Sequence, residues 1–242
     1  MKTLILLPLA ILSIIASAAG QTCTVPSHNN NLSGDAFYGA STCSQAYIDQ
    51  FWSHFDFDQG DWDDGFGYED PCNINRPLAR TFNALYLMAY SAEDYAKNTG
   101  DFSGNALRWA YPYCATKADE LDARCGNGSA FATSITGAAV DDRIELYLGF
   151  FYELSVSERA GTILHESRHQ DGNSHNGGSG CPRKTSCDTN WAYEGANMYH
   201  VLYLWWFAVD GTRTTSAMKN LARSRARTVH NTAFNTNPGF NI

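Results

Sequence analysis

Positive charge is in short supply in this chain. Lys and Arg together number 17 against 25 Asp and Glu, for a formal net charge of −8. A molecule of that sign repels phosphate backbones, which excludes nucleic acid as its main partner. Long apolar runs are also few. Beyond the first twenty residues the strongest is 201–209, nine residues, where a membrane-spanning helix needs roughly 20. No membrane partner is therefore expected. No internal repeat is present, which excludes a repeat array, and no basic run of the furin-site kind occurs.

What the chain does contain is apolar and aromatic material, at 44% and 13% of all residues, enough for a sizeable core and too much for intrinsic disorder. Its first segment stands apart. Lys2, an apolar run at 4–15, and then Ala16, Ser17, Ala18, Ala19 and Gly20 follow the order of a secretory signal. Residues 1–20 are read as that signal and 21–242 as a single secreted, extracellular domain, expected to be a monomer. Seven cysteines in an exported chain point to disulfides. Cys181 and Cys187 are near enough in sequence to bridge, and Cys114 with Cys125 could close another short loop. Cys23, Cys43 and Cys72 then supply at most one pair and one free thiol. Sequons at Asn31 and Asn127 matter only in a eukaryotic source.

Residues 21–43, rich in Asn, Ser, Gly and Thr, read as a loop-rich arm. Apolar positions at helical spacing predict a helix over 75–97 and a second over 103–124, with Pro112 a possible break. Alternation in 143–148 predicts a strand buried on one face. Ser155 and Glu158 form a capping box that starts a helix running through 165–169. A strongly apolar helix over 190–209 is expected to be the central core helix. A basic helix over 214–230, with no acid in it, comes last. Together these predict an α+β fold, a mostly helical domain with a small sheet.

The residues that carry chemistry lie at 165–175. His165, Glu166, His169, Gly172 and His175 fill the pattern H-E-x-x-H-x-x-G-x-x-H. Residues four apart on a helix lie one above the other, so His165 and His169 can face one ion. Gly172 permits the left-handed turn that ends a helix, after which His175 can swing back beneath the ion. Three protein ligands leave a fourth position for water, as in catalytic rather than structural zinc sites.

This motif resembles the signature of the zincin metallopeptidases, and of the metzincins among them; the similarity covers residues 155–200 at most. The resemblance implies a zincin-like active-site helix, one catalytic Zn2+ held by His165, His169 and His175, and Glu166 as general base. It implies a zinc metalloendopeptidase acting on protein or peptide substrates. Two alternatives remain open for the third ligand: Glu194, 25 residues after His169 as in gluzincins, and Asp188; either acid could instead support a histidine from behind. Met198 is assigned to the core and Tyr199 is a candidate active-site hydroxyl. Residues 21–140 are read as part of the catalytic body rather than as a pro-region. The competing expectation is a secreted zinc-binding or structural protein without turnover.

One further cation is considered. Asp56, Asp58, Asp61, Asp63, Asp64, Glu69 and Asp70 form an acidic stretch that could hold Ca2+, although no frame fits the EF-hand spacing. A solvated loop, or pairing with the basic C-terminal helix, would use the same charges.

Overall fold

Pro77, Asn105, Ser155 and Thr215 punctuate the chain, and each sits at the start of a helix. Pro77 occupies a first-turn position where its missing N–H costs nothing. The side chains of Asn105, Ser155 and Thr215 accept from Leu107, Glu158 and Met218 backbone N–H groups. The computed structural model describes residues 24–25, 43–92, 102, 104–126, 130–137, 142–181 and 186–242. The signal at 1–20, both sequons, most of the arm at 21–43 and residues 93–97 lie outside the described residues, and the helix expected over 75–97 stops at Tyr90, with Ser91 as its cap.

In chain order the elements are α1 (Gln45–Phe55), α2 (Pro77–Tyr90), α3 (Ala106–Lys117), β1 (Glu120–Ala123), β2 (Ala132–Ile135), β3 (Arg143–Leu146), α4 (Leu148–Tyr152), α5 (Val156–Gln170), α6 (Ala196–Asp210) and α7 (Ser216–Thr232). The fold is α+β, mostly helical with a three-stranded mixed sheet. Its strand order is β1-β3-β2: β1 runs parallel to β3, with Leu121 opposite Ile144, and β2 runs antiparallel to it, with Ser134 opposite Ile144. Ile144 and Leu146 are fully buried while Arg143 and Glu145 are half-buried, the alternation anticipated for 143–148.

Three expectations need correction. The helix anticipated over 103–124 stops at Lys117, and 120–123 is β1. Pairing with β3 overrides the helical pattern there, as sheet contacts commonly do, and Pro112 lies inside α3 without ending it. The helix anticipated over 190–209 begins only at Ala196, because a 3-10 turn at Trp191–Tyr193 ends on Glu194 at φ 55. Nor is α6 the most deeply buried helix. Trp205 and Trp206 are half-buried and Val209 is exposed, whereas every residue of α2 from Pro77 to Ala89 is buried.

α2 carries a charge inside, and the charge has partners. Arg80 and Arg159 are both fully buried. Each donates from Nη1 to the Phe151 carbonyl, at 3.1 and 3.2 Å, and Arg159 Nη1 also reaches the Leu154 carbonyl at 2.9 Å. The two guanidiniums thereby satisfy carbonyls at the end of α4 and in the turn to α5, where a buried unpaired group would be costly. The core is continuous from α1 to α7, so residues 43–126 pack in one body with the motif helix.

Disulfides join Cys43 to Cys72 and Cys181 to Cys187, and Cys125 is also disulfide-bonded. Cys114 is a free, fully buried thiol, so the anticipated Cys114–Cys125 pair does not form. Cys114 points from α3 toward Ser167 of α5, and burial pushes its pKa up to about 12, leaving it inert. Among the described residues no helix is long and apolar enough to cross a membrane, and the disulfides suit an oxidising, extracellular setting.

Candidate metal centre

The capping box holds the start of α5 as anticipated: Ser155 Oγ accepts from Glu158 N–H at 3.4 Å, and the Glu158 carboxylate accepts from Ser155 N–H at 3.0 Å. Val156, Ala160, Ile163 and Leu164 are fully buried and fix the helix's rotation. His165 and His169 then stack one turn apart with ring centroids 4.9 Å from each other. The helix ends in a Schellman turn. Gly172 N–H donates to the His169 carbonyl at 2.9 Å and Asn173 N–H to that of Arg168 at 3.3 Å, with Gly172 at φ 85. That turn reverses the chain and returns His175, whose ring lies 4.6 Å from His169 and 5.1 Å from His165. Ligand-capable atoms of all three lie within 4.8 Å of one another.

Two of the rings are oriented from behind. His169 Nδ1 lies 2.6 Å from the Asn173 carbonyl oxygen; a carbonyl only accepts, so Nδ1 carries the proton and Nε2 keeps its lone pair. His175 Nδ1 lies 2.8 Å from Asp188 Oδ1, the carboxylate–histidine pairing common behind metal ligands. Burial, and then the neighbouring imidazoles, holds the His165 pKa well below the usual histidine value. Burial lowers that of His169 as well. These two rings are neutral at pH 7, the state a metal ion requires.

Asp188 is a junction. It is fully buried, its Oδ2 accepts from Asn197 N–H at the start of α6 at 3.2 Å, and its backbone pairs with Ala233 and Asn235 beyond α7, at 3.0 and 2.7 Å. His175 is thus tied through one residue, by its carboxylate and its backbone, to two distant parts of the chain. The adjacent Cys187 carries the disulfide to Cys181.

Glu166 is 7% exposed, and its Oε2 accepts from Ser134 N–H of β2 at 2.9 Å. Burial raises its pKa to about 7 against the pull of that N–H and of His175. Gln170, one turn on, donates to the Ile135 and Arg143 carbonyls at 3.2 and 2.7 Å, which seats α5 under the sheet. Glu166 and the three histidines open into a cleft of about 680 Å³ between β2, α5, α6 and α7. The donor set suits a borderline-soft divalent ion: three imidazoles, two with Nδ1 engaged, at the wall of an open cleft.

The other sequence candidates lie elsewhere. Glu194 is exposed, outside the histidine group, and its carbonyl accepts from Arg168 Nε at 2.9 Å. Asp188 stands behind His175. Tyr199 packs in a cluster with Trp109 and Tyr113, with the Arg168 guanidinium 4.6 Å from its ring centroid, and Met198 is buried in the core.

The acidic stretch does not converge on one point among the described residues. Asp58 accepts from Gly60 N–H at 2.9 Å and Asp63 from Cys125 N–H at 2.7 Å. Only Asp61 meets other carboxylates, Glu120 and Asp122 of β1. There Arg143 and Arg124 already stand 3.0 and 3.4 Å from Asp122 Oδ2, supplying the positive charge a Ca2+ ion would bring. The stretch pairs with Arg124 rather than with α7, whose Arg225 instead faces Glu158 at 3.3 Å.

Sequence reasoning missed His200, Ser134 and Arg225. His200 is buried on α6 with its ring centroid 5.8 Å from that of His165; burial, then Arg225, brings its pKa down to about 3. Its only signal in the sequence is a histidine amid an apolar helix. Ser134 contributes a backbone group, which no residue type advertises.

Comparison of the chain with protein-family models, with curated proteins and with solved structures finds no match in any of the three. The chemistry of this centre must be drawn from its own residues.

Proposed function

We propose that this protein is a secreted zinc-dependent peptidase, similar to metzincins in its motif, with His165, His169 and His175 as zinc ligands and Glu166 as general base. The observation that carries the reading is the meeting of three imidazoles with one buried carboxylate at the wall of an open cleft. Zinc bound there supplies Lewis acidity, lowering the pKa of a water from about 15.7 to about 7 and polarising a substrate carbonyl. Glu166 Oε2 is held by the Ser134 N–H, which leaves Oε1 to take a proton from water and pass it to the departing amine. A carboxyl group with a pKa of about 7 is matched to both transfers near neutral pH. β2 is the outer strand of the three-stranded sheet and lines the cleft beside Glu166.

The test is chelation and a single substitution. EDTA should abolish peptide cleavage and zinc should restore it. Glu166→Gln should lower kcat by at least about 100-fold while the purified protein still carries one zinc per chain by elemental analysis. Bound zinc with no cleavage of any peptide library would mark a zinc-binding protein instead.

A further inference from the structure

The cleft continues past the histidines. Along α5 toward its N-terminus it is walled by Glu166, then Thr162, and it ends near Glu158; α6 contributes His200, and α7 contributes Arg225 and Thr228. Seven residues of helix separate His165 from Glu158, about 10 Å at 1.5 Å per residue. This is within reach of a side chain on a residue close to the hydrolysed bond.

This arm has an unusual electrostatic character. The molecule as a whole is negative, yet the last 32 residues carry Arg213, Lys219, Arg223, Arg225 and Arg227 and no acid. Arg225 is the one of these that lines the cleft. Its Nε lies 3.3 Å from Glu158 Oε1 but out of line for a hydrogen bond. The other Glu158 oxygen is taken by Ser155 N–H and Oγ, at 3.0 and 2.9 Å. The carboxylate that faces Arg225 is thus shared with a helix cap. His200 walls the same stretch of the cleft but turns its Cδ2–Nε2 edge onto Gly161 of α5.

We infer that Arg225 forms a recognition subsite for a carboxylate, so that the preferred substrate is a peptide with Asp or Glu close to the scissile bond. This rests on the peptidase reading. A guanidinium binds a carboxylate in a fork, and the Arg225 side chain is 34% exposed where it lines the cleft.

The test uses the zinc-loaded full chain and a set of alanine-based octapeptides carrying one Asp, Glu, Lys or Gln at each position in turn. Cleavage sites and kcat/KM are read by mass spectrometry. Binding is read separately by calorimetry on Glu166→Gln protein. Wild type should favour an acid at one position by about 10-fold or more, and Arg225→Met should erase that preference mainly through KM. Arg225→Glu combined with Glu158→Gln avoids like charges at the pair and keeps a capping-box residue; it should turn the preference toward Lys. A structural role alone would not invert it. Cleavage with no acidic preference, or one unchanged in both variants, overturns the inference and leaves the peptidase reading intact. Absence of cleavage together with Arg225-dependent binding of the acidic peptides supports the subsite and removes the peptidase reading. Absence of both overturns both.

Discussion

Asp188 holds Nδ1 of His175 at 2.8 Å, and it is the residue through which the third imidazole is aimed. Asp188→Asn keeps the shape and removes the charge. We expect zinc affinity to fall by about 10- to 100-fold, measured by competition with a chromogenic chelator, with little change in far-ultraviolet circular dichroism. Glu120 permits a prediction of a different kind. Burial, then the adjacent Asp122, raises its pKa from 4.5 to about 8. A carboxyl group whose pKa is higher in the folded state stabilises the fold fully below the ordinary value, and this contribution disappears as pH rises through about 8. Glu120→Gln should therefore flatten the fall in Tm between about pH 5 and pH 9, as followed by thermal melts across that range. At this scale the sequence was most readable where identity is the message. Three histidines, a glutamate and a glycine at fixed spacing announced themselves. Ser134, acting through its backbone, and His200, arriving from a separate helix, did not.

Among the elements, α5 was legible from end to end. Its cap, its apolar side and its Schellman glycine are each a local pattern of one or two turns, and all appear where the pattern puts them. β1 and α6 were less legible because their boundaries are set from outside. Residues 120–123 become a strand by pairing with β3, and α6 is delayed to Ala196 by the left-handed Glu194. The close packing of α5 on α6 at Gly161 shows how tightly the two helices fix each other. A Cβ there would stand 2.7 Å from His200 Cδ2 and 3.0 Å from Nε2, so the buried ring would have to shift. Alanine is the better helix former by about 1 kcal/mol, yet overpacking costs about 1–3 kcal/mol. Gly161→Ala should thus lower the urea midpoint, and adding His200→Ala should recover part of the loss. Strict additivity of the two changes would show that these side chains do not meet.

For the molecule as a whole, the disulfides and the histidine loop belong to one problem. The Cys181–Cys187 bridge closes a short loop directly before Asp188. Replacing both cysteines by serine should cost about 2 kcal/mol by the chain-entropy account, seen in chemical denaturation, and should also weaken zinc binding. A loss of stability with unchanged metal affinity would separate the bridge from the centre. No residue pattern announces this coupling, since proximity of Cys187 to Asp188 in the chain says nothing of what Asp188 touches. The same junction reaches further. Asp188 leans on the backbone of Ala233 and Asn235, so the ten residues after Thr232 serve as a buttress for a ring more than fifty positions upstream. Loosening Ala233 and Asn235 would therefore be felt at His175, although neither residue lies near the histidine motif in the chain.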